Sequence, residues 1–252
     1  MRPRSTLGAT VALVCALVGS LSAGRSPATQ PALTPQRQSP RPTGALQGTV
    51  RWTGAEVPQP TAVQNATDPD VCGPLHTLED LLVSDRGGGV NNVIVALVDV
   101  PVGTAPPRVP GRLLLDNIDC RFSPHVTVLT VGSLFETRNS DPTLHTVHLY
   151  GPSEANIALP LQGMTVGQTL EKAGVFIVKC DVHGWMQAFI RVDDHPFHAV
   201  TDAAGSFRIT DVPAGEYTLE AWHETLGTQR RTVQVRNAET ITIALQFPGR
   251  RE

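Results

Sequence analysis

The sequence predicts an all-β protein with two packed cores, on three observations. A chain of 252 residues is long enough for two ordinary domains, each burying its own core. Its 22 glycines, 21 prolines and only 5% aromatic residues favour many short strands and turns over helices. No long apolar run has a 3.6-residue period, and the best helical candidate, Thr77 to Val83, is too short to matter.

The first element is a targeting segment. Met1-Arg2-Pro-Arg4 ahead of the apolar run Leu7 to Ala23 reads as a secretory signal peptide over residues 1–23, with small residues around Ser20 to Gly24 for cleavage. The expected location is therefore periplasmic or extracellular. Cys15 follows Val14, where lipoprotein processing wants a small residue, so a lipid anchor is not expected. An uncleaved segment of about 17 to 25 apolar residues would act as a membrane tether, and no other segment is apolar enough to cross. Cleavage removes Arg2 and Arg4 and no acid, taking the formal charge from −3 to −5, which argues against a nucleic-acid partner.

Residues 24–45 are rich in Pro, Ser, Thr and Gln and read as a linker that cannot bury enough surface to fold alone. Leu46-Gln-Gly48-Thr-Val50-Arg-Trp52 opens the ordered part, and residues 46–105 are expected to form the N-terminal part of a β-sandwich. Gly87-Gly88-Gly89 lacks the Gly-Lys-Ser/Thr ending of a phosphate loop. It reads as a turn before the strand Asn92-Val93-Ile-Val95-Ala-Leu97.

The chemistry sits further on. In Ala173-Gly174-Val-Phe176-Ile-Val178-Lys-Cys180, alternation predicts a strand that delivers Cys180 to one end of a sheet. Cys180-Asp-Val-His183-Gly-Trp-Met186 then places a thiolate, an imidazole and a thioether at Cys-x2-His-x2-Met spacing on a turn through Gly184. Soft sulfur with imidazole suits Cu(I), and a trigonal His2Cys set with a long axial Met holds either copper oxidation state. The second histidine must come from elsewhere. After the turn Asn139-Ser-Asp141-Pro142, parity puts Thr143, His145, Val147 and Leu149 on one face, with His148 on the other, which favours His145. His148 is then a solvent-side or supporting residue. Another metal such as zinc, or an empty site, are the competing readings of the same residues.

The segment from Leu113 to Asp193 resembles the cupredoxin family of small blue copper proteins. The likeness runs through Phe122-Ser-Pro124-His-Val126, Val131-Gly132, Glu136 to Asp141, His145, and Cys180, His183 and Met186, whose short loop is similar to that of the amicyanin branch. It implies a Greek-key β-sandwich over 111–193 holding one type 1 copper through His145, Cys180, His183 and Met186. Two departures stand out. Thr146 replaces the usual Asn after the first histidine, which bears on the hydrogen bonding around the site, and Gln187-Ala188 replaces a Gly-containing turn.

Without residues 1–23 three cysteines remain, Cys72, Cys120 and Cys180. If Cys180 holds a metal, Cys72 and Cys120 are left to form a disulfide in an oxidising compartment. A second metal site from Cys72-x3-His76 with Cys120-x4-His125, and free buried thiols, are the other readings.

The last elements are strands and turns again. Thr201-Asp202-Ala-Ala-Gly205-Ser-Phe207, with Pro213-Ala-Gly215-Glu-Tyr217-Thr-Leu219, resembles the signature of the transthyretin-like, carboxypeptidase regulatory-like β-sandwich over 194–247. That family begins with a pair of strands that Gly48-x-Val50 and Val95-x-Leu97 supply far upstream. The expectation is a discontinuous sandwich, 46–105 completed by 194–247, around the copper unit. His195, His198 and the Trp222-His223-Glu224 strand end fall at the junction, where packing or a second metal site would use them.

The function expected is an electron carrier with a redox partner protein, and not an enzyme, since no triad or paired carboxylates can be argued. Trp185 is expected either to form an apolar contact surface around His183 or to anchor the loop. The alternative is a copper-binding protein for storage, delivery or sensing, and a third reading is an interaction protein with a vestigial site.

Overall fold

The computed structural model describes residues 42–106 and 109–248. The signal peptide expected over 1–23, and residues 24–41 of the expected linker, lie outside the described residues. In chain order the described elements are β1 Thr43–Trp52, β2 Ala62–Gln64, the four-residue α1 Pro69–Cys72, β3 Leu75–Thr77, β4 Ile94–Val98 and β5 Arg112–Ile118. Then come β6 Arg121–Ser123, β7 Val126–Thr130, β8 Ser133–Asn139, β9 His145–Tyr150, β10 Ala155–Leu159 and β11 Thr165–Leu170. The chain continues with β12 Gly174–Lys179, β13 Gln187–Asp193, β14 His198–Val200, β15 Ser206–Pro213, β16 Gly215–His223, β17 Gly227–Val235 and β18 Thr240–Phe247. The described residues are all-β apart from one helical turn, and β1 starts inside the stretch expected as linker.

One core lies between the sheets β15-β1-β18 and β14-β4-β16-β17. Strand β4 sits between β14 and β16, with Val95 and Leu97 in this core and Ile94 in a separate cluster, so it is buried on both faces, which is why the run is apolar throughout and does not alternate. Strand β1 pairs antiparallel with β15 and parallel with β18. Strands from either side of residues 106–193 thus share Leu46, Val50, Leu97, Phe207 and Leu219 in a single core. The β14–β15 turn shows why the sequence folds this way. Asp202 Oδ1 accepts the amides of Ala204 and Ser206 at 2.9 and 2.8 Å, and Gly205 takes φ +74°. A Cβ at Gly205 would lie 2.2 Å from the Val50 carbonyl oxygen, so no other residue fits.

The second core lies between β10-β9-β12-β13-β7 and β11-β8-β5-β6, around Leu115, Phe135, Val147, Phe176 and Ile190. Strands β9 and β12 alternate as their sequences require, with His145, Val147, Leu149, Phe176 and Val178 inward. They pair antiparallel through Lys179↔His148 and Val178↔Leu149, and β12 pairs with β13. The start of β9 and the β12–β13 loop, residues 180–186, therefore meet at one end of the sheet.

The two cores touch through Ile94, Val126 and Phe189, with Trp222 packed against them. Beside this contact Arg191 bonds Glu220 at 2.7 Å and Asp193 at 2.9 Å, and His198 Nδ1 lies 2.8 Å from Asp193. Residues 62–77 correct the expected organisation. They leave the first core, form the two-stranded β2–β3 sheet, and place Cys72 in the second core. Side chains cause this, because Cys72 is disulfide-bonded to Cys120 and Asp68 accepts a hydrogen bond from Thr143 Oγ1 at 2.6 Å. Among the described residues no helix is long and apolar enough to cross a membrane.

Candidate metal centre

His145 opens β9, Cys180 ends β12, and His183 lies in the loop between β12 and β13. The loop is folded back by its own backbone: Met186 N–H donates to the His183 carbonyl at 2.9 Å, and Cys180 N–H to the Met186 carbonyl at 3.3 Å. This brings Cys180 Sγ to 4.0 Å from His145 Nδ1 and 3.8 Å from His183 Nδ1, with the two Nδ1 atoms 3.1 Å apart. Both histidines are fully buried, and Cys180 and Met186 are 4% and 2% exposed.

The distal nitrogens explain the orientation of the rings. His145 Nε2 lies 2.9 Å from Asp141 Oδ2, and His183 Nε2 lies 3.2 Å from Asp68 Oδ2. A carboxylate on Nε2 holds the proton there and leaves Nδ1 as a lone pair. Both lone pairs therefore point at the Cys180 sulfur. Burial pushes the Cys180 thiol up, while the amides of Thr146 and His183, each donating to Sγ at 3.4 Å, pull it down and favour the thiolate.

Two imidazole nitrogens and a sulfur converge in one buried volume, where a shared proton or a metal ion can lie among them. Nitrogens about 2.0 Å and a sulfur about 2.3 Å from a common ion are separated by at most about 4.0 to 4.3 Å. All three observed separations fall within that limit, so the residues present fit a metal ion. Among the described residues His145, Cys180 and His183 form one group able to hold an ion. A second grouping, Cys120 with Asp141 and His145, contains a disulfide sulfur and offers no thiolate.

The surrounding residues have distinct places. Thr146 donates its amide to Cys180 Sγ at 3.4 Å, and its hydroxyl oxygen accepts the Asp181 amide at 2.7 Å. His148 points away from the donors, between Asp181 at 3.1 Å and Glu154 at 3.3 Å. Trp185 is half-buried, donates Nε1–H to the Cys120 carbonyl at 3.0 Å and stacks on His76 with centroids 4.5 Å apart, so that face is not open to a partner. A cavity of about 440 Å³ lies beside the loop, lined by Phe122, His125, Trp185, Met186, Gln187 and Glu224.

Among the described residues the other cysteines and histidines do not converge on a second centre. Cys72 and Cys120 are bonded to each other, which removes the Cys72/His76 and Cys120/His125 alternative. His125 pairs with Glu224, His198 with Asp193, and His195 stacks on Phe197. His223 is buried and accepts the Thr225 amide at 3.2 Å.

Sequence reasoning missed both carboxylates. Asp141 carried a signal as a turn residue four positions before His145. Asp68 carried none, lying 115 residues from the histidine it faces.

Residues 186–246 match the model of the carboxypeptidase regulatory-like domain, starting inside the metal loop and running through β13 into the first core. No curated protein matches the chain. The solved structures it resembles include a Cu-containing nitrite reductase (NirK) from Thermus scotoductus SA-01, at 25% identity and TM-score 0.30 over 37% of this chain. This chain spans about a quarter of that one, 24%. A purple cupredoxin from Nitrosopumilus maritimus is 18% identical over 33% of this chain and 99% of its own, at TM-score 0.29. A mutant of amicyanin in its reduced Cu(I) form is 19% identical over 39% and 98%, at TM-score 0.29.

Proposed function

We propose that this chain is an exported carrier of single electrons that holds one copper ion in a type 1 site, with residues 111–193 as the copper unit. The observation that carries the reading is the convergence of His145 Nδ1, His183 Nδ1 and Cys180 Sγ, each lone pair directed inward by a named partner. Two imidazoles and one thiolate with a thioether in the same buried loop suit copper better than zinc, whose structural sites take four strong nitrogen or sulfur donors. Bound copper would supply one-electron chemistry.

The chain's own residues supply the rest. Cys180 is the anionic donor and the main electronic link, kept deprotonated by the Thr146 and His183 amides. His145 and His183 are oriented by Asp141 and Asp68, and Met186 would add a weak thioether donor to a bound copper. Cys180 and Met186 lie in the second core and both histidines are fully buried, which limits rearrangement when the charge changes, as a carrier needs. A redox partner protein is implied. The carboxypeptidase regulatory-like sandwich, with its strands drawn from both sides of the copper unit, is the element proposed to dock it.

Protein-film voltammetry tests the reading against its alternative, copper storage or delivery. A reversible one-electron couple at positive potential supports the carrier. Copper held only as Cu(I) and passed on to an acceptor would support delivery instead.

A further inference from the structure

Resting on His183 as a ligand, we infer that residues 65–77 are a disulfide-fastened latch on the metal centre, with Asp68 as the positioning residue for His183. The geometry is specific. His183 Nε2 faces Asp68 Oδ2 at 3.2 Å and Cys72 Sγ at 3.6 Å, both supplied from outside residues 111–193. These contacts cover the imidazole edge, which is why a histidine in a surface loop has no exposure.

The segment has little else to hold it in place. Among the described residues its one strand, β3, pairs only with β2, Ala62–Gln64, over three residues, and a hairpin of that size is marginal alone. The α1 turn is four residues long, and Asp68 at its start adopts φ 50° with no side-chain bond back to the turn. What fastens it to the copper unit are the Cys72–Cys120 disulfide, the Thr143–Asp68 hydrogen bond and the His76–Trp185 stack. Asn65 stiffens the segment itself by donating to the Gly73 carbonyl at 2.7 Å.

The other end of the disulfide is tied to the second histidine. Asp119 and Cys120, the two central residues of the β5–β6 hairpin, both take φ 53°, a conformation side chains disfavour. Asp141 holds them by accepting the Asp119 amide on Oδ1 and the Cys120 amide on Oδ2, each at 2.9 Å. The same Oδ2 faces His145 Nε2. The disulfide thus joins the carboxylate partner of one histidine to that of the other. With the bond closed, both rings are fixed; with it open, residues 65–77 are free to lift from His183. A partner arriving at this end of the molecule meets the latch and not the imidazole edge.

The experiment uses the full chain as wild type, Asp68→Ala, Asp68→Asn and the double variant Cys72→Ser/Cys120→Ser, each checked for fold by circular dichroism. Hydrogen–deuterium exchange on the metal-free proteins is expected to show the amides of Val71, Cys72 and Gly73 deprotected in the double variant while 145–150 and 187–193 stay protected. After loading with Cu(I), removal by excess bicinchoninate is expected to be about 10- to 100-fold faster in Asp68→Ala and in the double variant, the size of effect typical for partners of ligating histidines. Asp68→Asn, which keeps an acceptor oxygen, is expected to restore most of the wild-type rate. Unchanged exchange over 71–73 in the double variant, or removal rates within about twofold of wild type, overturns the latch. Wild-type protein that takes up no copper while its exchange pattern follows expectation overturns the copper reading and leaves the latch supported.

Discussion

His145 Nδ1 and His183 Nδ1 face each other across 3.1 Å, each with its other ring nitrogen on a carboxylate. Two ring nitrogens at that distance, beside the Cys180 sulfur in a buried volume, either share a proton or hold a metal ion. The Asp68 and Asp141 carboxylates decide which nitrogen of each ring points inward, and so convert two ordinary histidines into a directed pair.

Cys180→Ser removes the thiolate while leaving a side chain of similar size at the end of β12. The visible thiolate-to-copper absorption is expected to vanish while the far-UV circular dichroism spectrum is retained. A coloured serine variant would show that the sulfur is not a ligand.

Met186→Leu keeps the volume of a side chain that is 2% exposed and removes its donor atom. Because a weak donor helps Cu(II) more than Cu(I), the reduction potential is expected to rise, by about 59 mV for each tenfold loss in relative Cu(II) affinity. Voltammetry of the two proteins side by side measures it, and an unchanged or lower potential counts against axial ligation.

Opening the Cys72–Cys120 disulfide is expected to cost about 2 to 4 kcal/mol of stability, since it closes a loop 48 residues long in the unfolded chain. Urea denaturation of wild type and Cys72→Ser/Cys120→Ser gives the value. A difference below about 0.5 kcal/mol would show that the bond restrains the unfolded chain very little.

Buried His223 and half-buried His125 give stability a pH dependence with opposite signs. Burial, with the nearby positive charge of His125, pushes His223 from 6.5 down to about 4. Its contribution is complete above pH 6.5 and is lost as pH falls towards 4, on the order of 3 kcal/mol in all. For His125 burial acts downward too, but Glu224 outweighs it and raises the pKa above 6.5. That contribution is complete below pH 6.5 and disappears as pH rises through the raised value. Urea midpoints measured from pH 4 to 9 are expected to fall on the acid side, and His223→Phe is expected to flatten that side only. An acid limb unchanged by the substitution would assign it to other groups, such as Asp193, whose pKa is lowered against burial by His198 and Arg191.

The all-β class and the inward parity of His145 were legible because strand periodicity is local: each inward position in β9 and β12 is two residues from the last. The apolar run 92–98 was legible as a strand, but whether it joined the copper unit or the sandwich was not, because burial on both faces does not name the flanking strands. What could not be read was the course of residues 62–77. Their attachments are individual side chains, Asp68 to Thr143 and His183, Cys72 to Cys120, His76 to Trp185, and none leaves a periodic trace in the sequence. Asp141 stood in view as a turn residue, but its three acceptor roles depend on the β5–β6 hairpin lying against β9, a tertiary fact. Trp185 invited two readings because an aromatic residue in a ligand loop serves equally as a contact surface and as an anchor, and only the neighbouring His76 and Cys120 show what occupies it.

The measurement that tests the central claim most directly is an optical and EPR titration of the full chain with Cu(II). Saturation at one equivalent, with an intense visible thiolate-to-copper band and a narrow copper hyperfine splitting, is the predicted result. A colourless protein, or one whose copper gives only the broad splitting of nitrogen and oxygen donors, would contradict a centre built on Cys180.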